Sequence, residues 1–262
     1  MLSIVARDIH VEFPIYDTYR RSLRHQLGLG TIARSLDRFK SRKLKIGGDI
    51  DTGQAGKMVV KALNGVSIDL EQGDRVGLLG HNGSGKTTLL RTLAGIYEPI
   101  SGTVLTVGRS VPLFDLQLGM DPDATGIENI WLRGAMLGLS KQQINESLDD
   151  IAEFTELGSY LYMPIRTYSQ GMQLRLAFGI STAIPPDILI LDEMIGAGDT
   201  AFIERANLRL KSFLERTGIL IIASHSTSML RKWCNKGLLL EQGKVAAQGS
   251  IEDVVSQYEK VT

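Results

Sequence analysis

Eight consecutive residues, Gly80-His81-Asn82-Gly83-Ser84-Gly85-Lys86-Thr87, constrain this chain more than any other feature. They fit G-x-x-x-x-G-K-[ST] at every fixed position, after a short apolar run at 75–79 and at the start of a predicted helix over 86–93. Each residue type has a chemical reason. Glycines let the backbone wrap so closely that successive N–H groups converge on phosphate oxygens. The helix start adds partial positive charge. Lys86 is placed to reach the β and γ oxygens of a nucleoside triphosphate and the Thr87 hydroxyl to bind Mg²⁺. The nucleotide-contacting set is expected to run on through Thr88.

Such a loop needs a carboxylate from a neighbouring strand. Ile188-Leu189-Ile190-Leu191-Asp192-Glu193 contains one: four apolar residues, then two acids at the C-terminal edge, where open α/β sheets bind ligands. Asp192 is placed to hold Mg²⁺, directly or through water, and Glu193 to orient or deprotonate an attacking water. Around these motifs strands alternate with helices. Strands are predicted at 62–70, 75–79, 103–107, 110–113, 188–191, 219–223 and 237–240, and helices at 86–93, 201–215 and 251–258. A helical stretch covers about 126–183. The pattern argues for an α/β fold with a largely parallel sheet. Residues 1–13 alternate as an edge strand would, and 47–56, rich in Gly and Asp, read as a loop.

A second anion-binding feature lies between the two motifs. Tyr168-Ser169-Gln170-Gly171-Met172 precedes an apparent helix; Ser169 is a good N-cap residue, and Gly171 leaves the first turn bare. One nucleotide cannot easily occupy two helix starts in one chain. A two-fold dimer resolves this, with each subunit's phosphate loop facing the other's Ser169–Gly171.

At these residues the sequence resembles the nucleotide-binding subunits of ABC transporters, over nearly its whole length. The resemblance implies an ABC ATPase fold: a RecA-like P-loop core with an antiparallel β region and an inserted helical subdomain. In that single domain, 1–113 would form the first part of the core, about 114–183 the helical subdomain, and 184–262 the second part with a closing helix. Ser169-Gln170-Gly171-Met172 stands at the family's signature motif, usually Ser-Gly-Gly-Gln, and Gly196-Ala197-Gly198-Asp199 at the D-loop. Ser169, Gln170, Gly171 and Asp199 would then contact nucleotide bound by the partner subunit. His225 stands at the switch histidine that would contact the γ-phosphate, so Glu193, His225 and Lys86 form the implied catalytic set. Phe13, with Tyr16 as the nearby alternative, stands at the adenine-stacking aromatic. Asp115 stands about where the Q-loop glutamine belongs and Gln117 two residues later, both candidates for the Mg²⁺ or water contact. ATP and Mg²⁺ are the implied ligands.

The departures from the usual signature narrow the resemblance. Tyr-Ser-x-Gly-Met, Asp192-Glu193-Met194-Ile195-Gly196-Ala197-Gly198-Asp199 with Phe202 shortly after, and Thr125-Gly126-Ile127-Glu128-Asn129-Ile130 look like the ATPases that export polysaccharides of the O-antigen, capsule and teichoic acid kinds. That implies a lipid-linked glycan moved by a separate polytopic permease, two copies of this chain, and a place on the cytoplasmic face of the inner (cytoplasmic) membrane. Some relatives append a C-terminal carbohydrate-binding domain; a sequence ending at Thr262 is not expected to carry one. The group also carries an insertion before the phosphate loop, here about 16–57. Between Arg20 and Lys45 that insertion has nine basic residues against the single acid Asp37, and its apolar residues fall at helical spacing. Either anionic headgroups or its own domain would suit it.

The rest of the composition excludes other classes. With 43% hydrophobic residues and 29 basic against 29 acidic side chains, the chain is neither disordered nor polyelectrolytic. One cysteine, Cys234, makes no disulfide framework. No apolar run approaches the ~18–20 residues needed to cross a bilayer, and MLSIVARDIH lacks a signal-peptide core. A drug or small-molecule exporter ATPase is the alternative within the superfamily. A soluble ABC ATPase of DNA repair would need a long coiled coil, and one of translation a second phosphate loop, so no nucleic-acid partner is expected. A P-loop kinase or GTPase would leave Tyr168–Met172 and His225 without a role.

Overall fold

A computed structural model describes residues 1–15, 49–52, 58–114, 116–192 and 200–261. Two sheets organise them. In the first, β1 (Ser3–Ile15) pairs antiparallel with β3 (Met58–Glu71) on one side and β5 (Ser101–Val107) on the other, and β2 (Asp49–Thr52) adds outside β3. In the second, β4 (Arg75–Leu79), β6 (Ser110–Pro112), β7 (Ile188–Asp192), β8 (Ile219–Ala223) and β9 (Lys236–Glu241) run parallel in the order β9-β4-β8-β7-β6. The strand β10 (Lys244–Ser250) closes that sheet antiparallel to β9.

Two sequence expectations need correction. Residues 1–13 do not form an edge strand, because β1 is flanked by β3 and β5. Alternation reports only that one face is buried, here Ile4, Ala6, Ile9 and Val11, and carries no information about hydrogen-bond partners. The step from Ala6 to Ile9 breaks strict alternation where Asp8 adopts φ 46° and both ladders shift register. The expected loop at 47–56 contains β2, whose Ile50 pairs with Val60. Its Gly/Asp-rich composition hides a short ladder with the strand that follows it, in which Thr52 pairs with Met58.

The parallel strands β4, β7 and β8 are buried almost throughout, as strands covered on both faces must be. Successive residues point to opposite faces. Ile188, Ile190, Ile219 and Ile221 face the first sheet, packing with Ile4, Val66, Leu70 and with Leu89, Leu90 and Leu93 of α1 (Lys86–Leu93). Leu79, Leu189, Leu191, Leu220 and Ile222 face the other way, onto a cluster with Phe178 and Phe202. The helix that starts on the phosphate loop is therefore held between two sheets.

A third cluster, around Ile130, Ile144, Ile151, Leu176 and Ile180, joins α2 (Gly126–Met136), α3 (Lys141–Thr155) and α4 (Gln170–Ser181). Capping boxes start two of these helices: Thr125 with Glu128, and Ser140 with Gln143. Inside the cluster the buried Arg133 donates to Ser181 Oγ at 3.1 and 3.2 Å and to the Leu118 carbonyl. The chain ends through α5 (Thr200–Arg216), α6 (Thr227–Trp233) and α7 (Ile251–Val261). No helix among the described residues is long and apolar enough to cross a membrane. The amphipathic pattern expected over 16–45 lies outside the described residues. Burial pushes the Cys234 thiol up to about 12, so it stays protonated at neutral pH.

Candidate nucleotide site

The parallel register builds the site. Leu78 of β4 and Asp192 of β7 both pair with Ala223 of β8, so the three strands end in one row. The phosphate loop leaves β4 immediately after Leu79, Asp192 closes β7, and His225 follows β8 by two residues. A cleft of about 580 Å³ opens there, lined by Asn82, Gly83, Gly85, Lys86, Thr87 and Thr88 from the loop and α1, by Asp192 and His225, and by Phe13, Val60 and Ala62 from the first sheet.

The loop's glycines are sterically required. Gly80 has φ 143°, and a Cβ there would lie 2.4 Å from the Leu240 carbonyl oxygen and 2.5 Å from Ser84 Oγ. Gly85 occupies the N-cap of α1 at φ 105°, with a Cβ position 2.5 Å from the Ala62 oxygen. No side chain caps α1, which leaves its first N–H groups facing the cleft mouth for an anion. Gly80→Ala is expected to cost about 1–3 kcal/mol from backbone strain alone, before the clash with Leu240 is relieved. Thermal melting against wild type would measure it; an unchanged midpoint would mean that the loop relaxes freely.

The polar side chains are already in place. Lys86 Nζ donates to the Gly80 and His81 carbonyls at 2.6 and 3.0 Å. The Thr87 hydroxyl donates to Asp192 Oδ2 at 2.7 Å. Ser84 Oγ, buried inside the loop, has no hydrogen-bond partner among the described residues. The Thr87–Asp192 pair presents two hard oxygens at an open cleft, and among the described residues no group of three or more His, Cys, Asp or Glu is placed to hold a metal ion. That fits Mg²⁺, which keeps several waters and takes few protein oxygens. His225 is exposed and lines the cleft. Phe13 is 38% exposed, pairs in register with Val60 and packs edge-on against Tyr97 with centroids 5.5 Å apart.

The signature region is elsewhere. Ser169 caps α4, accepting from the Met172 N–H at 3.3 Å, and both Ser169 and Gln170 are exposed. With Gly171, Met172 and Arg175 of α4, and with Glu156, Leu157 and Tyr160, Ser169 lines a separate hollow of about 310 Å³. The two cavities share no lining residue, so the structure does not bring Ser169 and Lys86 to one cavity within one chain. Gln117 is exposed and does not line the cleft. Tyr16, Asp115, Glu193 and Asp199 lie outside the described residues. Val60 and Ala62 were not legible as cleft residues, because only the long-range pairing of β1 with β3 puts them beside Phe13.

Comparison with known proteins follows the same lines. The family model described as ABC transporter matches residues 63–196. Over 245 residues the chain is 40% identical to the O-antigen export system ATP-binding protein RfbE of Yersinia enterocolitica, covering 94% of this chain and 97% of that one. It is also 40% identical over 199 residues to the teichoic acids export ATP-binding protein TagH of Bacillus anthracis, covering 76% of this chain but 36% of that longer protein. A solved structure titled as a dimeric post-hydrolysis state of the ATP-binding cassette MJ0796 with ADP and Pi superposes with a TM-score of 0.62 at 17% identity, covering 95% of this chain and 98% of that one. At that identity the likeness concerns the fold. Motif, fold and end-to-end sequence similarity converge: the chain belongs to the ABC transporter family and is an ATPase of that family.

Proposed function

We propose that two copies of this chain close head to tail over two ATP molecules and drive export of a lipid-linked polysaccharide, of the O-antigen, capsule or teichoic acid kind, through a separate polytopic membrane subunit. The observation that carries this reading is the convergence of Lys86, the Thr87–Asp192 pair and His225 at the ends of three adjacent parallel strands. The cargo is supported by similarity along 94% of the chain to a protein of an O-antigen export system.

In this reading Lys86 leaves the Gly80 and His81 carbonyls for the β and γ oxygens, while the N–H groups of the loop and of α1 hold the remaining charge. Thr87 and Asp192 would hold Mg²⁺, which neutralises charge developing on the phosphates. His225 contacts the γ-phosphate, and Glu193 accepts the proton of the attacking water. Phe13 stacks on the adenine. Ser169 and Gly171 of each copy complete the other copy's site, where the bare first turn of α4 meets the γ-phosphate, and Asp199 lies at the same seam. Opening after hydrolysis is passed to the membrane subunit, which holds the chain at the cytoplasmic face of the membrane.

Reconstitution tests the cargo. The chain and its membrane subunit in proteoliposomes should show ATPase activity that rises when a lipid-pyrophosphate-linked polysaccharide is supplied. Activation by hydrophobic drugs, with no response to the glycan lipid, would assign the transporter to small-molecule export.

A further inference from the structure

The C-terminal helix α7 touches the phosphate loop, a contact that nucleotide chemistry alone does not require. It lies unusually close on the sheet. A Cβ at Gly77 of β4 would stand 2.8 Å from Ile251 Cδ1, and one at Gly237 of β9 would stand 2.6 Å from Val254 Cβ. Ile251, Val254 and Val255 are all buried, so the first turns of α7 are fixed to the two strands next to the loop. One turn further along, the Tyr258 ring meets the His81 ring with centroids 5.8 Å apart and planes at 48°. His81 is a junction inside the loop: its carbonyl accepts from Lys86 Nζ at 3.0 Å and from the Ser84 N–H at 3.1 Å. The same helix is tied to α6, the helix that follows His225, because Arg231 donates to Glu252 at 3.0 Å and to Glu259 at 3.3 Å.

We propose that α7 braces the phosphate loop, with Tyr258 acting as a positioning residue that holds His81, and so the loop's carbonyls and N–H groups, in the conformation that receives the phosphates. Tyr258 touches no phosphate. It acts by restricting His81, whose side chain would otherwise be free to swing and carry the loop with it. The same helix sets the distance between the loop and the segment bearing His225, since Arg231 links it to α6. The inference rests on the reading of the cleft as an ATP site.

Calorimetric titration of the purified full chain with ATP tests it. Tyr258→Ala is expected to raise the Kd for ATP by about three- to tenfold, the range that a ring contact at this spacing is worth. Tyr258→Phe, which keeps the ring, should restore wild-type affinity. His81→Ala should raise the Kd similarly, and adding Tyr258→Ala to it should change little, because a coupled pair is non-additive. Should Tyr258→Ala fail to fold, Tyr258→Leu keeps bulk against the sheet while removing the ring, and the same Kd rise is expected. A Kd within twofold of wild type for the folded variant, or a loss that Tyr258→Phe does not rescue, overturns the brace. If the wild-type chain itself does not bind ATP, the fault lies with the assignment of the cleft and not with α7.

Discussion

Lys86→Ala is expected to lower ATP turnover by about 100- to 1,000-fold, the loss typical when one preorganised donor to developing charge is removed. In the structure the ammonium sits on two loop carbonyls, Gly80 and His81, at 2.6 and 3.0 Å. Those contacts keep it extended across the loop, and in the proposed ATP complex it would pass from them to the phosphate oxygens. A charge-assisted hydrogen bond is worth about 1.5–3 kcal/mol, so the Kd for ATP should rise by about 10- to 100-fold. Alanine removes this donor from both carbonyls, of which that of His81 still accepts from the Ser84 N–H at 3.1 Å. The fold should therefore survive, and melting temperature is the control that separates a site defect from unfolding. Turnover within tenfold of wild type in a folded Lys86→Ala variant would contradict the placement of the triphosphate.

Asp192→Asn should act on the metal instead. Its carboxylate accepts from Thr87 at 2.7 Å, and the change removes a full negative charge at nearly constant shape. The Mg²⁺ concentration giving half-maximal turnover should rise about 10- to 100-fold, the usual effect of altering a group that holds or orients a metal's ligands. ATP binding measured in chelator should stay near wild type or tighten slightly, since a negative charge near the phosphates has gone. An unchanged Mg²⁺ requirement would remove Asp192 from the metal site.

Much of this site was legible because its determinants are local. The run 75–79, the helix 86–93 and the strand 219–223 fall where the sequence places them, since each combines continuous burial or helical spacing with a glycine or polar stop. Gly95 stands just past the end of α1 at φ 74°, the left-handed region that a glycine there adopts without strain. What escaped has either a weak local signal or partners far away in the chain. Strand β10 alternates exposed and half-buried residues built on Ala and Gly, which gives a weak period-2 signal. Helix α6 is seven residues long, too short for periodicity to show. The interior position of β1 and the place of Val60 and Ala62 beside Phe13 follow from ladder register between segments about 45–100 residues apart, whereas β2 is a short strand paired with the one that follows it, Thr52 with Met58. The contact of Tyr258 with His81 is of the same kind, joining the first residues after β4 to the last helix.

The two-copy site is tested most directly by sedimentation of the Glu193→Gln chain, whose slowed hydrolysis should hold the closed state. With saturating ATP and Mg²⁺ it is expected to shift from monomer to dimer, to remain monomeric with ADP, and to lose the shift when Ser169→Glu places a carboxylate against the partner's γ-phosphate. A chain that stays monomeric with ATP bound, or that dimerises equally well carrying Ser169→Glu, would contradict a nucleotide shared between Lys86 of one copy and Ser169 of the other.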